Sequence, residues 1–266
     1  MSETRTMPAL FISHGAPNFI ISDLPARHFM EQLSTQIGRP DAIVMVSAHF
    51  ETNGVAVVTD PAPSMIYDFG GFEPELYRMQ YPAPGDPALA KRVIGLLGDA
   101  GFAPQPVSTR GYDHGAWTPL MAAFPAADIP VVQVSIDPNR DARYHYALGR
   151  ALAPLRADNI LVIGSGHITH NLRAFFMRGR DAQLDANIGG WVDAFTDWMH
   201  ERAVEGDIEA LLDWETRAPH AAENHPEAEH LMPFFVALGA GEGRRAERIH
   251  HSKQMGFFTY DHYAIH

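Results

Sequence analysis

The sequence predicts an α/β sandwich, one catalytic domain over residues 1–266 with a mainly parallel or mixed central sheet flanked by helices. Three observations predict it. Strand-length apolar runs recur at Pro8–Ile12, Asp41–Val46, Ile129–Ile136 and Ile160–Ile163. Helix-period apolar stripes separate them, which is the alternation of a mainly parallel sheet. The runs also lead into histidines, as in Ser13-His14 and Ser47-Ala48-His49. Side chains that do chemistry in open α/β sheets collect at the carboxyl ends of strands, so a metal site is expected there.

The central stretch is Ile160-Leu161-Val162-Ile163-Gly164-Ser165-Gly166-His167-Ile168-Thr169-His170. Four apolar residues, three of them β-branched, fit a strand covered on both faces. Gly164 and Gly166 are expected to turn the chain and deliver histidines at its tip. The run at 8–12 is a first strand, closed by a loop at Gly15 and Pro17. Residues 24–36 read as a helix. The run at 41–50 is a second strand, and Val55–Val58 a further one, hairpin-paired across Asn53-Gly54.

Residues 61–85 form a long connection rich in proline, glycine and aromatic residues, expected to wall a pocket. Asp86 and Pro87 open a helix as N-cap and first residue, with Leu89, Val93, Leu96 and Leu97 as its stripe. Asp113-His114 lies in a glycine-bracketed loop, and Pro119 is expected to start a short helix. Asp113 is a poor partner for His114, because neighbours in sequence point apart. A helix over 141–155 carries Tyr144, Leu148, Leu152 and Leu155. Another over 187–204 turns Ile188, Trp191, Val192, Phe195, Trp198 and Met199 inward, and a short one follows at 207–214. Asn224 or His225 caps a last helix with Pro226 near its start, which places His230 about one turn inside. Gly239–Gly243 reads as a turn and 247–263 as a terminal strand.

Composition narrows the function. The 266 residues carry 46% hydrophobic and 20% charged side chains, as globular proteins do. A net charge of -12 without a basic cluster argues against nucleic acid as a partner. No apolar run has the length of a membrane span, and Met1–Met7 is not a signal peptide, so a soluble cytoplasmic protein is expected. The chain has no cysteine, which excludes disulfides and thiolate metal sites. Any metal must use nitrogen and oxygen ligands. Of the 15 histidines, His250, His251, His262 and His266 are expected at the surface. His14, His49, His114, His170 and His230 occupy positions forced by strand ends or helix starts. Neutral imidazole suits zinc and iron(II) alike. The metalloprotease His-Glu-x-x-His, the hydrolase Gly-x-Ser-x-Gly and the Walker loop are all absent, and Gly164-Ser165-Gly166 lacks the final glycine of a dinucleotide loop.

Seven motifs then occur in one order: Ser13-His14-Gly15-Ala16-Pro17, Ser47-Ala48-His49, Tyr67-Asp68-Phe69-Gly70-Gly71-Phe72, Tyr81-Pro82-Ala83-Pro84-Gly85, Asp113-His114-Gly115-Ala116-Trp117, His170-Asn171-Leu172-Arg173 and His225-Pro226 to Glu229-His230. In that order the chain resembles the DOPA-dioxygenase branch of the class III extradiol ring-cleavage dioxygenases across nearly its whole length. The resemblance implies a nonheme iron(II) enzyme that opens the ring of a catechol-type, DOPA-like small molecule with O₂. Some relatives are isolated with zinc. It implies His14, His49 and His230 as metal ligands, although the related protocatechuate branch fills the third place with a glutamate, and Glu229 is adjacent. His170 matches the acid/base, or a fourth ligand in zinc forms. His114 matches a histidine near substrate and O₂, placed to hydrogen-bond a bound oxygen species. His167 stands where relatives carry a non-ionisable residue. It is open between tuning His170, reaching the metal and filling the turn. The tail around Met255–Tyr260 matches loosely. Arg110 or Arg173 could meet a substrate carboxylate, but a surface ion pair is the more ordinary role for each. Two other functions compete: a zinc hydrolase using the same histidines, and a non-catalytic metal-binding or interaction protein of the same fold.

Overall fold

The computed structural model describes residues 6–177 and 182–266, with side chains left aside over 182–189. Eight strands form one mixed sheet: β1 (Ala9–Ser13), β2 (Ala42–Glu51), β3 (Ala56–Val58), β4 (Gln105–Val107), β5 (Val131–Ile136), β6 (Ile160–Gly166), β7 (Ala246–Gln254) and β8 (Phe258–Ile265). Their spatial order is β4-β3-β5-β2-β6-β1-β8-β7. At the centre, β6 runs parallel to both β1 and β2, with Ser13 opposite Gly166 and Ser47 opposite Ser165. Three strand ends therefore share one edge of the sheet.

The helices are α1 (Pro25–Ile37), α2 (Pro87–Asp99), α3 (His114–Ala123), α4 (Ala142–Leu152), α5 (Leu172–Met177), α6 (Ala182–Glu205), α7 (Ile208–Leu212), α8 (Trp214–Arg217), α9 (Ala221–Asn224) and α10 (Met232–Ala240). They cover both faces, as the unbroken apolar strands require. One core packs α1 and α3 on Leu10, Ile12, Ile43, Met45, Leu161 and Ile163. The other packs α2, α4, α6 and α10 on Phe11, Val44, Val46, Val134 and Val162. Successive strand residues thus enter opposite cores. Asp86 caps α2 as expected, accepting from the Ala88 and Leu89 N–H groups, with Pro87 next. Among the described residues, no helix is long and apolar enough to cross a membrane.

Several elements differ from expectation. β3 pairs with β5 and β4 rather than with β2, so Asn53-Gly54 leads the chain away from β2 instead of closing a hairpin. α3 starts at His114 under the Asp113 cap and carries Pro119 inside it. Pro119 has no N–H to offer the Gly115 carbonyl four residues back, and the Ser165 hydroxyl donates to that carbonyl instead. The last helix starts at Met232, so His230 precedes it, and it runs through Gly239. The terminal segment is a hairpin of β7 and β8. His262 on β8 is fully buried and stacked on Phe29 and His250, not at the surface. Ile188 lies outside the described side chains.

Gly164 and Gly166 belong to β6 itself and do not turn the chain. A Cβ on Gly164 would lie 2.0 Å from the Pro233 carbonyl oxygen, and one on Gly166 would lie 2.1 Å from that of His230. They are the places where the segment entering α10 lies directly on the strand. On the far side, a Cβ on Gly239 would sit 2.0 Å from the Tyr146 carbonyl oxygen, which brings α10 equally close to α4.

Two predictions follow from this packing. Gly164→Ala forces backbone apart at a site with no flexible neighbour, and overpacking of this kind costs about 1–3 kcal/mol. A wild-type denaturation midpoint in that variant would contradict the close approach. Acid should also destabilise the metal-free protein. Burial holds the imidazoles of His145 and His225 down at about 4 and, with His250 adding to it, that of His262 at about 3. His262 Nδ1 accepts the Ser13 N–H at 3.1 Å, and His145 Nε2 accepts the Asp137 N–H at 3.2 Å, so the folded state needs them neutral. Unfolded histidine titrates near 6.5. Their contribution is complete above that pH and is lost between about 6.5 and 4, at up to about 1.4 kcal/mol per pH unit per group. Equal midpoints at pH 7 and pH 5 would refute this.

Candidate metal centre

His14 follows β1, His49 lies near the end of β2, and His230 comes in on the segment laid over Gly166. One ring nitrogen from each lies within 4.8 Å of the others. The Nε2 atoms of His14 and His49 are 3.1 Å apart. The His230 ring centroid lies 5.4 Å from that of His14 and 4.9 Å from that of His49.

Hydrogen bonds decide which nitrogen of each ring is free. The Ser165 hydroxyl donates to the Gly115 carbonyl at 2.5 Å. Its oxygen must then accept at 3.0 Å from His14 Nδ1–H, which leaves the His14 Nε2 lone pair exposed. Glu229 Oε1 accepts from His230 Nδ1–H at 2.7 Å. His49 Nδ1 faces Asp68 Oδ2 at 3.6 Å, a charge attraction that favours a proton there. All three Nε2 atoms are therefore left as donors of lone pairs. The His14 and His49 lone pairs, 3.1 Å apart with a His230 nitrogen within 4.8 Å, repel unless a cation lies among them, so this donor set fits a divalent metal ion. Burial, with the neighbouring imidazoles adding to it, pushes His14 and His230 well below the usual histidine range and His49 down to about 4. The rings stay neutral, the state ligation requires.

His170 stacks face to face on His230, centroids 3.5 Å apart and planes 14° from parallel. Its Nδ1 lies 3.5 Å from Glu229 Oε1. Burial opposes ionisation of Glu229, but His170 and His225 outweigh it and hold the carboxyl below its usual value. Glu229 thus sits behind the His230 ring, on its Nδ1 side. The 167–170 loop is pinned by three hydrogen bonds to the 224–230 segment: His167 N–H to the His230 carbonyl, His170 N–H to the Asn224 carbonyl, and His225 Nε2–H to the Ile168 carbonyl.

His114 starts α3, and its ring centroid is 4.1 Å from that of His49. Asp113 serves the helix rather than that imidazole: its Oδ1 accepts from the Ala116 N–H and from the Ser47 hydroxyl. The carboxylate that meets His114 is Asp68, from the aromatic loop. Its Oδ1 accepts from His114 N–H at 3.0 Å and from Nδ1 at 2.9 Å. Burial disfavours the Asp68 charge, but these bonds dominate and pull its carboxyl down to about 2. An ionised carboxylate only accepts, so the neutral His114 ring carries its proton on Nδ1 and turns an acceptor toward the site. Donation to a bound oxygen species, expected from the sequence, is open only to its imidazolium.

His167 accepts the Gly15 N–H on Nε2 at 2.9 Å. That nitrogen is spent on holding the turn after His14, where Gly15 adopts φ +74°. Arg110 donates to the His49 carbonyl and to Asp113 Oδ2 and lies over the Phe50 ring. It braces the end of β2. Arg173 is exposed on α5. Residue-by-residue reading of the sequence assigned no role to Ser165 or Asp68. The signal for Asp68 was an acidic residue set among the aromatic and glycine residues of 67–72.

This sheet and site belong with a known group of proteins. Residues 8–262 match the family described as the catalytic LigB subunit of aromatic ring-opening dioxygenase. The "4,5-DOPA dioxygenase extradiol" of Beta vulgaris is 41% identical over 269 residues, spanning 98% of this chain and 97% of that protein. The protein of the same description from Escherichia coli (strain K12) is 39% identical, over 92% and 88%. The crystal structure of an uncharacterized protein from Escherichia coli K12 superposes with a TM-score of 0.78 at 31% identity, covering 98% of this chain and all of the other. The class so defined is the extradiol ring-cleaving dioxygenase, an oxidoreductase. The chain belongs to the LigB family of aromatic ring-opening dioxygenases.

Replacing Ser165 by alanine removes the only acceptor described for His14 Nδ1. The expected result is a 10–100-fold loss of metal affinity with the fold retained. Competition with a chromophoric chelator measures it, and wild-type affinity would sever Ser165 from the site.

Proposed function

We propose that the protein opens the ring of a catechol-bearing, DOPA-like small molecule next to its hydroxyls, using O₂ and iron(II). In this reading one catalytic domain spans the chain, acting in the cytoplasm on a diffusible substrate. The observation that carries it is the convergence of three neutral imidazoles whose Nδ1 atoms face Ser165, Asp68 and Glu229. We assign His14, His49 and His230 as the ligands. Glu229 is the alternative third ligand, but its hydrogen bond to His230 Nδ1 favours the histidine. Zinc fits the same donors and is the metal expected when iron is lost.

When bound, iron(II) supplies Lewis acidity toward the two catechol oxygens and the redox chemistry that activates O₂. The chain supplies the rest. His170, half-buried against His230 and beside Glu229, takes the second hydroxyl proton and later returns one to the oxygen leaving group of the ring-opening step. Tyr67, Phe69 and Trp117 pack in edge and tilted contacts, and Phe69 meets His114 edge-on at 5.8 Å. They form an apolar wall suited to an aromatic substrate and to keeping water out.

Oxygen uptake by protein reconstituted anaerobically with iron(II), challenged with a panel of catechols, tests the reading. Uptake with a yellow ring-opened product is expected. One bound metal without uptake on any catechol would sink it in favour of zinc hydrolysis or a non-catalytic role. His14→Ala or His49→Ala should release the metal. His170→Ala should keep it and lose about 100-fold or more in turnover, and near-wild-type ring cleavage would remove His170 as the acid/base.

A further inference from the structure

Asp68 reaches two of the site's imidazoles, His114 and His49, from a loop outside the strand ends. Its loop is held firmly. Ile66 N–H donates to the Tyr112 carbonyl and Tyr112 N–H to the Ser64 carbonyl, both at 2.8 Å, a short parallel bridge to the segment entering α3. A Cβ on Gly111 would lie 2.3 Å from the Ser64 carbonyl oxygen, so only glycine permits this approach. Trp117 Nε1–H donates to the Ile66 carbonyl, and the Tyr67 hydroxyl donates to that of Met79. The residue preceding Asp68 and the one before it are therefore fastened to α3 and to the loop itself.

On that mount, one carboxylate oxygen takes both the backbone and the ring proton of His114, and the other faces His49. The His114 ring sits between Asp68, His49 and the Phe69 edge. We propose that Asp68 is a positioning residue: it fixes His114 in the Nδ1–H tautomer and thereby presents the Nε2 lone pair to a hydroxyl proton of the bound substrate. Two histidines then stand against the ligand cluster as acceptors, His114 beside His49 and braced by Asp68, His170 on His230 and beside Glu229. A catechol that binds through both oxygens gives up two protons, and this arrangement offers a receiving nitrogen for each. No bond to carbon changes in that step; each proton passes from a substrate oxygen to an imidazole nitrogen.

The turnover part of the test rests on the dioxygenase reading, and the tautomer part does not. Long-range ¹H–¹⁵N correlation spectra of histidine-labelled protein, assigned with His114→Gln, read the His114 tautomer with zinc bound and without any activity. The wild type should show a single Nδ1–H form. Asp68→Ala should lose it and, measured at saturating metal because Asp68 also faces His49, fall about 100-fold in kcat with KM within about threefold. Asp68→Asn keeps an acceptor oxygen and should restore the tautomer together with part of kcat. An Nδ1–H form that persists in Asp68→Ala would overturn the proposal, as would wild-type kcat in that variant. A wild type inactive on every catechol, yet with the tautomer pattern as expected, would reject the dioxygenase reading and leave the role of Asp68 standing.

Discussion

Backbone lies on backbone at the centre of this molecule. The carbonyl oxygens of Pro233 and His230 occupy the space where Gly164 and Gly166 would carry a Cβ, and the His167 N–H donates to the His230 carbonyl at 2.8 Å. That contact sets the depth at which α10 rides on β6. It also sets the height at which His230 meets the histidines carried by β1 and β2. Any side chain on those glycines would lift the third imidazole away from the other two, because the strand is buried on both faces and cannot retreat.

The strands are legible in the sequence because burial on both faces leaves an unbroken apolar run, and the helices because caps such as Asp86-Pro87 mark their starts. Pairing is less legible. Val55–Val58 carries no mark that tells β2 from β5 as its neighbour, and a glycine after an apolar run reads the same whether it turns the chain or admits another segment. His262 looks like one of several terminal surface histidines until β8 is placed beside β1. The site divides in the same way. His14 and His49 stand out because each comes at the end of an apolar run. Ser165 and Asp68 do not, since a serine between glycines or an aspartate in a loop satisfies local turn chemistry equally well. Their partners are 151 and 46 residues away in sequence, a relation that only the sheet order creates.

Electrostatics follows from how the charges are layered. The innermost shell is of imidazoles kept neutral by burial. Carboxylates stand one bond further out, on the Nδ1 side, at Asp68 and Glu229. Arg110 is committed to Asp113 and the His49 carbonyl, so its charge stabilises the end of β2 rather than competing for the centre. An acidic protein thus surrounds a cation-accepting cluster with negative charge without placing any on the cluster itself, which strengthens its pull on a divalent ion.

The same topology governs when such a cluster can exist. Its nitrogens come from residues 14, 49 and 230, and the Ser13 N–H that leads into it is held by His262, 249 residues later in the chain. Nothing short of the completed sheet brings them together. Contacts of such long sequence separation form late and slowly, so a nascent or truncated chain offers no pre-assembled binding point. In the proposed reading, metal capture by this cluster is a checkpoint on the finished fold: an ion that binds only the native state stabilises it in proportion to ln(1 + [M]/Kd), and it withholds that stabilisation from every partly folded form.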